Sequence, residues 1–179
     1  VRIEFSERDV EVAGEHGARQ GMAGGERPVG PLPVGLAEQR QVSLTRGGEE
    51  GLVVRGKHEQ LVTAVVNLVH NAITYSGEKA RVVVTTRAVT DGPEPRVAIA
   101  VTDNGIGIGA EDTKRIFERF YRVDYARSRQ TGGTGLGLSI VAEIVEGHGG
   151  EVTVWSKLGS GSTFTITLPA AAEEEEEVA

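Results

Sequence analysis

The sequence contains no cysteine, which excludes disulfide bonds and thiolate metal sites and is compatible with a cytosolic protein. It also lacks any apolar run approaching the ~20 residues that span a bilayer, and its first residues do not resemble a secretory leader. Acidic residues outnumber basic ones by 26 to 19, and the formal net charge of −7 disfavours wholesale binding to nucleic acid. What remains is a globular chain, since 179 residues with 39% hydrophobic content suit one soluble domain of ordinary size.

Composition divides the chain into three parts. Residues 14–35 are rich in glycine and proline and show neither a helical nor a strand period, so we predict an irregular segment over residues 1–40. The run of glutamates at 173–177 predicts an acidic, disordered tail over residues 170–179. A single folded domain is therefore expected over residues 41–169.

Hydrophobic periodicity in that domain predicts both helices and strands. The two clearest helices are expected at 57–74 and 136–148, and a shorter one at 111–120. EVTVWS and STFTITLP predict a C-terminal hairpin, and other alternating or β-branched runs predict strands at 41–45, 51–56, 81–87 and 96–102. Because helices and strands segregate along the chain, we predict an α+β fold with one mixed sheet covered by helices on one face.

The polar stripe of the 57–74 helix carries two asparagines, Asn67 and Asn71, one turn apart. A solvated stripe is usually filled with Glu, Lys or Arg, which form helices better than asparagine does. At this spacing the two amide oxygens can converge on one point. Such oxygens suit a hard cation such as Mg²⁺, which takes its other ligands from phosphate and water. The alternative is that both amides bond only to nearby backbone groups.

The motif DNGIGIG at 103–109 directly follows the strand at 96–102. Asp103 would lie where that strand ends, and a carboxylate there can accept a hydrogen bond from the exocyclic amine that distinguishes adenine from guanine. Gly105 and Gly107 permit the close backbone approach and the unusual dihedral angles that such a site requires. Taken alone, a DNG sequence is more often a plain turn.

The motif GGTGLGLS at 132–139 lies at the junction between a loop and the 136–148 helix. Backbone N–H groups at the start of that helix would point at phosphate oxygens, and the helix dipole favours an anion there. The motif is not a Rossmann fingerprint, since the strand–GxGxxG–helix order is missing, and not a Walker loop, since no GK[ST] follows. By itself the motif has low specificity.

The order of NLVHNA, DNGIGI, FERFYR and GGTGLGLS resembles the N, G1, F and G2 boxes of the histidine kinase catalytic and ATP-binding domain, of the GHKL ATPase superfamily. The resemblance covers roughly residues 41–169 and includes the C-terminal hairpin. It implies a two-layer α/β sandwich, the Bergerat fold, that binds ATP and Mg²⁺ beneath a mobile lid.

The resemblance implies a role for each matching residue. Asn71 would be the Mg²⁺ ligand, with Asn67 as its partner at the catalytic centre. Tyr75 would stack on adenine, and Asp103 would bind the adenine amino group. The remaining candidates shape the pocket floor, contact the γ-phosphate or clasp the triphosphate: Gly105 and Gly107 for the floor; Arg122 for the γ-phosphate, in a lid at 121–133 that also holds Arg127 and Arg129; and Gly133, Thr134, Gly135, Leu136, Gly137, Leu138 and Ser139 for the clasp.

Several features depart from the family pattern, among them His70, which stands where the family commonly has an acidic or amide residue. The family often has a lysine directly after NAI, where this chain has Thr74, so one phosphate contact is in doubt. The phosphoacceptor motif, a histidine followed by Glu or Asp and a downstream Arg-Thr-Pro, is not found in the sequence. His16 lies in the Gly-rich stretch without a helical pattern, so we do not assign it as the acceptor.

The resemblance predicts the ATP-binding catalytic domain of a two-component sensor histidine kinase, which transfers the γ-phosphoryl group of ATP to a histidine on a separate dimerisation domain. It also implies a response regulator as partner and a homodimeric parent protein, anchored in the cell membrane with this domain on the cytoplasmic side. This fragment itself is expected to be monomeric. Two alternatives stay open: a serine-directed anti-sigma kinase, and a nucleotide-sensing or interaction module without turnover. Hydrolysis of water is less favoured, because GHKL ATPases place a glutamate where this chain has Asn67.

Overall fold

The computed structural model describes residues 2–4, 34–77, 79–123 and 134–171. Seven strands and three helices lie in these ranges. In chain order they are β1 Arg2–Glu4, α1 Val34–Gln39, β2 Ser43–Gly48, β3 Val53–Arg55, α2 His58–Thr74, β4 Arg81–Val89, β5 Arg96–Asp103, α3 Gly137–Gly147, β6 Glu151–Lys157 and β7 Gly161–Pro169.

One sheet of five strands organises the domain, in the order β2-β4-β5-β7-β6. β2 pairs with β4 in parallel, whereas the other neighbouring pairs of this sheet are antiparallel. β1 and β3 form a separate antiparallel pair. The predicted α+β fold, with a mixed and mostly antiparallel sheet, is confirmed.

The core lies between one face of the sheet and the helices α2 and α3. Along β7, the buried residues Phe164, Ile166 and Leu168 alternate with more exposed threonines, which is the period of a sheet with one covered face. Buried residues of both helices belong to the same cluster, among them Leu68 of α2 and Val141 of α3. The two helices therefore cover the same face of the sheet, as the sequence predicts.

Helix α2 begins at His58 and ends at Thr74, within one residue of the predicted range. Its buried residues recur every three or four positions, as Leu61 and Leu68 illustrate, because one face of the helix packs on the sheet. Arg40, which follows α1, donates a hydrogen bond from Nη1 to the carbonyl oxygen of Thr74 at 3.1 Å. A cation at this end is favourable, because the last carbonyl groups of a helix carry the negative end of its dipole.

The residues after α3 end this helix and link it to the start of α2. Gly149 adopts a φ of +69°, the left-handed conformation that closes many helices. His148 Nε2 accepts a hydrogen bond from the N–H of Lys57 at 3.0 Å, and His148 Nδ1 lies 2.7 Å from the carbonyl oxygen of Ile144. A neutral ring with its proton on Nδ1 satisfies both contacts, because the N–H of Lys57 can only donate. The C-terminal end of α3 is thus hydrogen-bonded to the N-terminal end of α2.

The predicted helix at 111–120 is wrong, because this segment is a series of turns. Its backbone hydrogen bonds alternate between three-residue and four-residue spans, and the N–H of Arg115 and the N–H of Glu118 each reach back only three residues. The hydroxyl of Thr113 also donates to the carbonyl oxygen of Ala110 at 2.8 Å, which competes with a helical bond. Phe117 is held on the core by an edge-to-face contact with Phe164, at 6.3 Å between ring centroids. Tertiary packing therefore decides the shape of this segment.

Two elements, β1 and α1, lie within residues 1–40, for which an irregular segment is predicted. At the other end of the folded region, Ala170 bridges to Val54 and the N–H of Ala171 donates to the carbonyl oxygen of Val53 at 2.8 Å. Apart from Arg40, the remainder of both terminal segments, including the glutamate run at 173–177, lies outside the described residues. The boundaries at residues 40 and 170 stay predictions.

Candidate functional site

The start of α3 lies directly against the two asparagines of α2. A Cβ atom added to Gly137 would stand 3.2 Å from Oδ1 of Asn67 and 3.9 Å from Nδ2 of Asn71. Asn67 donates from Nδ2 to the carbonyl oxygen of Thr63 at 2.9 Å. This bond fixes the amide so that its oxygen faces Gly137. Two of the three predicted motifs therefore meet at one point, and glycine at 137 allows the close approach.

Asp103 ends β5 as a buried carboxylate with 8% of its surface exposed. Its Oδ1 accepts a hydrogen bond from the N–H of Gly105 at 2.8 Å. Burial raises the pKa of the Asp103 carboxyl, and hydrogen bonds from the backbone N–H groups of Gly105 and Ser162 oppose that rise. The carboxylate is thus held by the backbone on two sides, as an acceptor of fixed orientation.

The loop that follows Asp103 packs against the end of α2. The N–H of Ile106 donates to the carbonyl oxygen of Tyr75 at 3.2 Å, and a Cβ atom at Gly105 would stand 2.6 Å from the same oxygen. Only glycine fits at this distance. The side chain of Tyr75 is 42% exposed. The predicted base-stacking residue therefore lies beside the Asp103 loop with part of its surface accessible.

Gly107 is placed where no other residue fits. Its φ is +68°, and a Cβ atom there would overlap the carbonyl oxygen of Lys157, the last residue of β6 before the turn to β7. The N–H of Gly159 in the same turn donates to the carbonyl oxygen of Ile106 at 2.7 Å. The loop at 103–109 is therefore clamped between the end of α2 and the C-terminal hairpin.

Gly135 connects the glycine-rich loop to the FERFYR segment. It adopts a φ of +72°, and a Cβ atom there would stand 3.0 Å from Cα of Phe120 and 3.3 Å from Cγ of Arg122. The N–H of Phe120 donates to the carbonyl oxygen of Gly135 at 2.9 Å. Arg122 is thus brought beside the glycine-rich loop. Gly133, Arg127 and Arg129 lie outside the described residues.

The side chains at the start of α3 bond to the helix itself. Ser139 is buried and donates from Oγ to the carbonyl oxygen of Leu136 at 2.9 Å. Oγ1 of Thr134 accepts weakly from the N–H of Leu136 at 3.4 Å, and Leu138 packs against the core. The groups at this end of α3 that could meet an anion are therefore backbone N–H groups.

A cluster of polar contacts fixes the FERFYR segment, which sequence reasoning assigned only by resemblance. The hydroxyl of Tyr121 donates to Oδ1 of Asp112 at 2.5 Å, and this bond raises the pKa of Tyr121. The guanidinium of Arg115 lies 4.3 Å from the centre of the Tyr121 ring. Arg119 also pairs with Glu143 of α3 at 2.8 Å. The segment is thus attached to the helix whose start faces the asparagines.

Sequence reasoning missed Asn104 and a pair of serines, Ser156 and Ser162. Oδ1 of Asn104 accepts from the N–H of Arg81 at 2.8 Å, so it ties the Asp103 loop to the start of β4. The Oγ atoms of the two serines lie 3.0 Å apart, and Ser162 is the strand partner of Asp103. The proximity of Asn104 to Asp103 was a usable signal in the sequence. The serine pair depends on the register of β6 and β7 and has no comparable signal.

None of the helices in the described ranges combines the length and the apolar character needed to cross a bilayer.

The sequence profile of the family "Histidine kinase-, DNA gyrase B-, and HSP90-like ATPase" matches residues 56–172.

Among curated proteins, the chain is similar to two named sensor kinases. It is 49% identical to the sensor-like histidine kinase SenX3 of Mycolicibacterium smegmatis over 133 residues, which is 74% of this chain and 34% of SenX3. It is 40% identical to the sensor histidine kinase WalK of Bacillus subtilis over 143 residues, which is 79% of this chain and 23% of WalK. The chain thus spans about a third of the length of SenX3 and about a quarter of the length of WalK.

Two solved structures share the fold. The mycobacterial sensor histidine kinase MprB matches with a TM-score of 0.64 and 28% identity, over 79% of this chain and 91% of that one. The catalytic domain of histidine kinase ThkA, in a nucleotide-free form, matches with a TM-score of 0.62 and 27% identity, over 74% of this chain and 82% of that one. The resemblance drawn from the four motifs is confirmed.

Proposed function

Because the chain belongs to the histidine kinase-, DNA gyrase B- and HSP90-like ATPase family, whose members bind ATP, we propose that it transfers the γ-phosphoryl group of ATP to a histidine. It would do so as the catalytic domain of a two-component sensor kinase. The acceptor histidine would be carried on a separate dimerisation domain. In the step itself, a ring nitrogen of that histidine bonds to the γ-phosphorus while the bond to the bridging oxygen breaks, and ADP leaves.

One observation carries this proposal: the start of α3 abuts Asn67 and Asn71, and Gly137, the first residue of α3, is the point of contact. Helix N-termini bind phosphate groups through free backbone N–H groups, and amide oxygens bind hard cations. The two kinds of group that a nucleotide triphosphate and its cation require are therefore adjacent. Asn67 does bond to the backbone of Thr63, as a helix without a ligand would allow, but its amide oxygen still faces the start of α3.

The magnesium ion is part of the proposal, and the residues present fit it. The Thr63 contact leaves the amide oxygen of Asn67 turned towards the start of α3, and Asn71 stands on the same face one turn later. Within the described ranges no group of three His, Asp or Glu side chains could hold a metal. The other ligands would thus be phosphate oxygens and water. When bound, Mg²⁺ would neutralise charge on the phosphates.

The base would bind at the opposite end, where Asp103 accepts from the adenine amino group and Tyr75 stacks on the ring. A carboxylate fixed by two backbone N–H groups supports this role, because it offers an acceptor without having to reorganise. Gly105 and Gly107 would form the floor. Gly133, Thr134, Gly135, Leu136, Gly137, Leu138 and Ser139 would line the triphosphate.

Arg122 is proposed as the contact to the γ-phosphate. Its Cγ atom lies 3.3 Å from the position of a Cβ atom at Gly135, so its side chain passes beside the proposed triphosphate clasp. Positioning and charge neutralisation would supply most of the catalysis, since the nucleophile arrives from another domain. Because the acceptor histidine lies on another domain, we expect the chain to bind nucleotide without phosphorylating itself.

Partners and location follow from the same proposal. The parent protein would be a homodimer that passes its phosphoryl group to a response regulator, as its similarity to sensor histidine kinases suggests. It would be anchored in the cell membrane, with this domain in the cytoplasm.

Calorimetric titration of the 179-residue chain with ATP and Mg²⁺ tests the ligand assignment. Weak but saturable binding is expected. Titration to millimolar ATP with no binding heat and no competition against a fluorescent ATP analogue would remove the basis of the proposal.

A further inference from the structure

The hydroxyl of Ser156 on β6 makes three contacts with the segments next to Asp103. Its Oγ lies 2.8 Å from the N–H of Ile108, 2.9 Å from the carbonyl oxygen of Gly161 and 3.0 Å from Oγ of Ser162. A serine hydroxyl has one proton to donate and two lone pairs to accept with. Here the hydrogen-bonding capacity of the group is used in full.

The direction of each bond follows from the donors present. The carbonyl oxygen of Gly161 can only accept, so it takes the single proton of Ser156. The N–H of Ile108 can only donate, so it occupies one lone pair. The hydroxyl of Ser162 must therefore donate to the other lone pair. Ser162 is 5% exposed, and water does not readily replace these bonds.

The three groups that contact Ser156 Oγ lie in the two segments that hold the Asp103 carboxylate, which are the loop after β5 and the start of β7. Ile108 belongs to the loop that contains Gly105, whose N–H bonds to Asp103. Ser162 is the strand partner of Asp103 on β7, and its backbone N–H is the second donor to the carboxylate. Gly161 lies against the backbone of Asp103, with a φ of +96°. One hydroxyl group thus connects both segments that hold the carboxylate.

We propose that Ser156 is a positioning residue for the nucleobase: its hydroxyl fixes the 103–108 loop against β7, so that the carboxylate of Asp103 meets the adenine amine. This inference rests on the proposed function, because it concerns the same pocket. It assigns to β6, a strand with none of the predicted site residues, a part in base selectivity.

The test compares the wild-type chain with Ser156→Ala, Ser156→Thr and a control variant, Ser160→Ala. Ser160 lies exposed in the turn between β6 and β7, so its variant removes the same hydroxyl group outside the network. Affinities for ATP, GTP and inorganic tripolyphosphate are measured by calorimetry in the presence of Mg²⁺, and thermal unfolding is recorded for each variant.

Ser156→Ala is expected to weaken ATP binding by about five- to tenfold, the size of one or two lost hydrogen bonds. GTP and tripolyphosphate affinities should change less than about twofold, because the phosphate site lies at the other end of the pocket. Ser156→Thr keeps the hydroxyl and should restore most of the preference for ATP over GTP. Ser160→Ala should match the wild type throughout.

Two results would overturn the inference while leaving the proposed function intact. One is an unchanged ratio of ATP to GTP affinity in Ser156→Ala, with the wild type selective for ATP. The other is an equal loss of affinity for ATP, GTP and tripolyphosphate, which would show that Ser156 stabilises the fold as a whole and does not position the base. A wild-type chain that binds none of the three ligands would overturn both proposals together.

Discussion

At the scale of single residues, Asp103 is a buried carboxyl group at the end of β5. Burial raises its pKa above the ordinary value of 3.8, even though two backbone N–H groups oppose the rise. A carboxyl group whose pKa is raised on folding stabilises the fold most below the unfolded pKa. That contribution is lost as the pH rises through the folded pKa.

Asp103→Asn should therefore gain stability relative to the wild type as the pH rises from below 3.8 through the raised pKa of Asp103. The reason is that asparagine cannot ionise, so the variant lacks the wild-type loss. Chemical unfolding of both proteins across this pH range measures the difference in free energy. A difference that stays constant with pH, or changes in the opposite direction, would contradict the assigned effect of burial.

Asn71→Ala should weaken ATP binding roughly ten- to a hundredfold when Mg²⁺ is present and have little effect when the metal is chelated. The removed amide oxygen is the proposed ligand of the ion. Gln60→Ala, which removes an amide from an exposed position of the same helix, serves as the control. An equal loss of affinity with and without Mg²⁺ would show that Asn71 acts on the nucleotide or on the fold instead.

Single residues also mark where sequence reasoning ends. The place of Asp103 at the end of β5 follows from a β-branched strand that runs into DNG. The Ser156–Ser162 contact does not, because a serine in an alternating strand predicts only a surface position until the pairing register of the hairpin is known.

At the scale of elements, alanine substitutions at Gly107 and Gly147 are expected to have opposite effects on the stability of the protein. Gly107→Ala should destabilise the protein by at least about 2 kcal/mol, because its φ is +68° and the added methyl group would overlap a backbone carbonyl. Gly147→Ala should be neutral or stabilise by about 0.5 kcal/mol, since it lies in α3 with nothing within 4 Å of the added atom. Denaturant unfolding measures both changes. A Gly107→Ala variant as stable as the wild type would refute the clamped position of the 103–109 loop.

The long helices and the hairpin were predictable because their apolar period is strong and their ends carry glycine or a change of composition. The 111–120 segment shows the limit of that reasoning. Ile116, Phe117 and Phe120 have helical spacing, but Phe120 adopts a φ of +66° and is 65% exposed. Contacts with Phe164 and Gly135, both distant in sequence, determine that conformation.

At the scale of the whole molecule, the site is made by bringing α2, the end of β5 and the start of α3 together on one face of the sheet. The motifs predicted this convergence only through resemblance, since the parallel pairing of β2 with β4 and the strand order are long-range properties. The arrangement leaves the chain with binding groups for a nucleotide and no assigned acceptor histidine. We therefore predict that catalysis appears only when a second domain is supplied.

The most direct measurement is phosphoryl transfer in trans from γ-labelled ATP to the dimerisation domain of the parent kinase. We expect a label on that domain that requires Mg²⁺, is labile in acid as phosphohistidine is, and is lost with Asn71→Ala. We expect no label on the 179-residue chain itself. Tight ATP binding with no transfer to that domain would contradict the proposed kinase activity and favour a nucleotide-sensing module. Stable label on this chain alone would contradict the assignment of the acceptor to another domain.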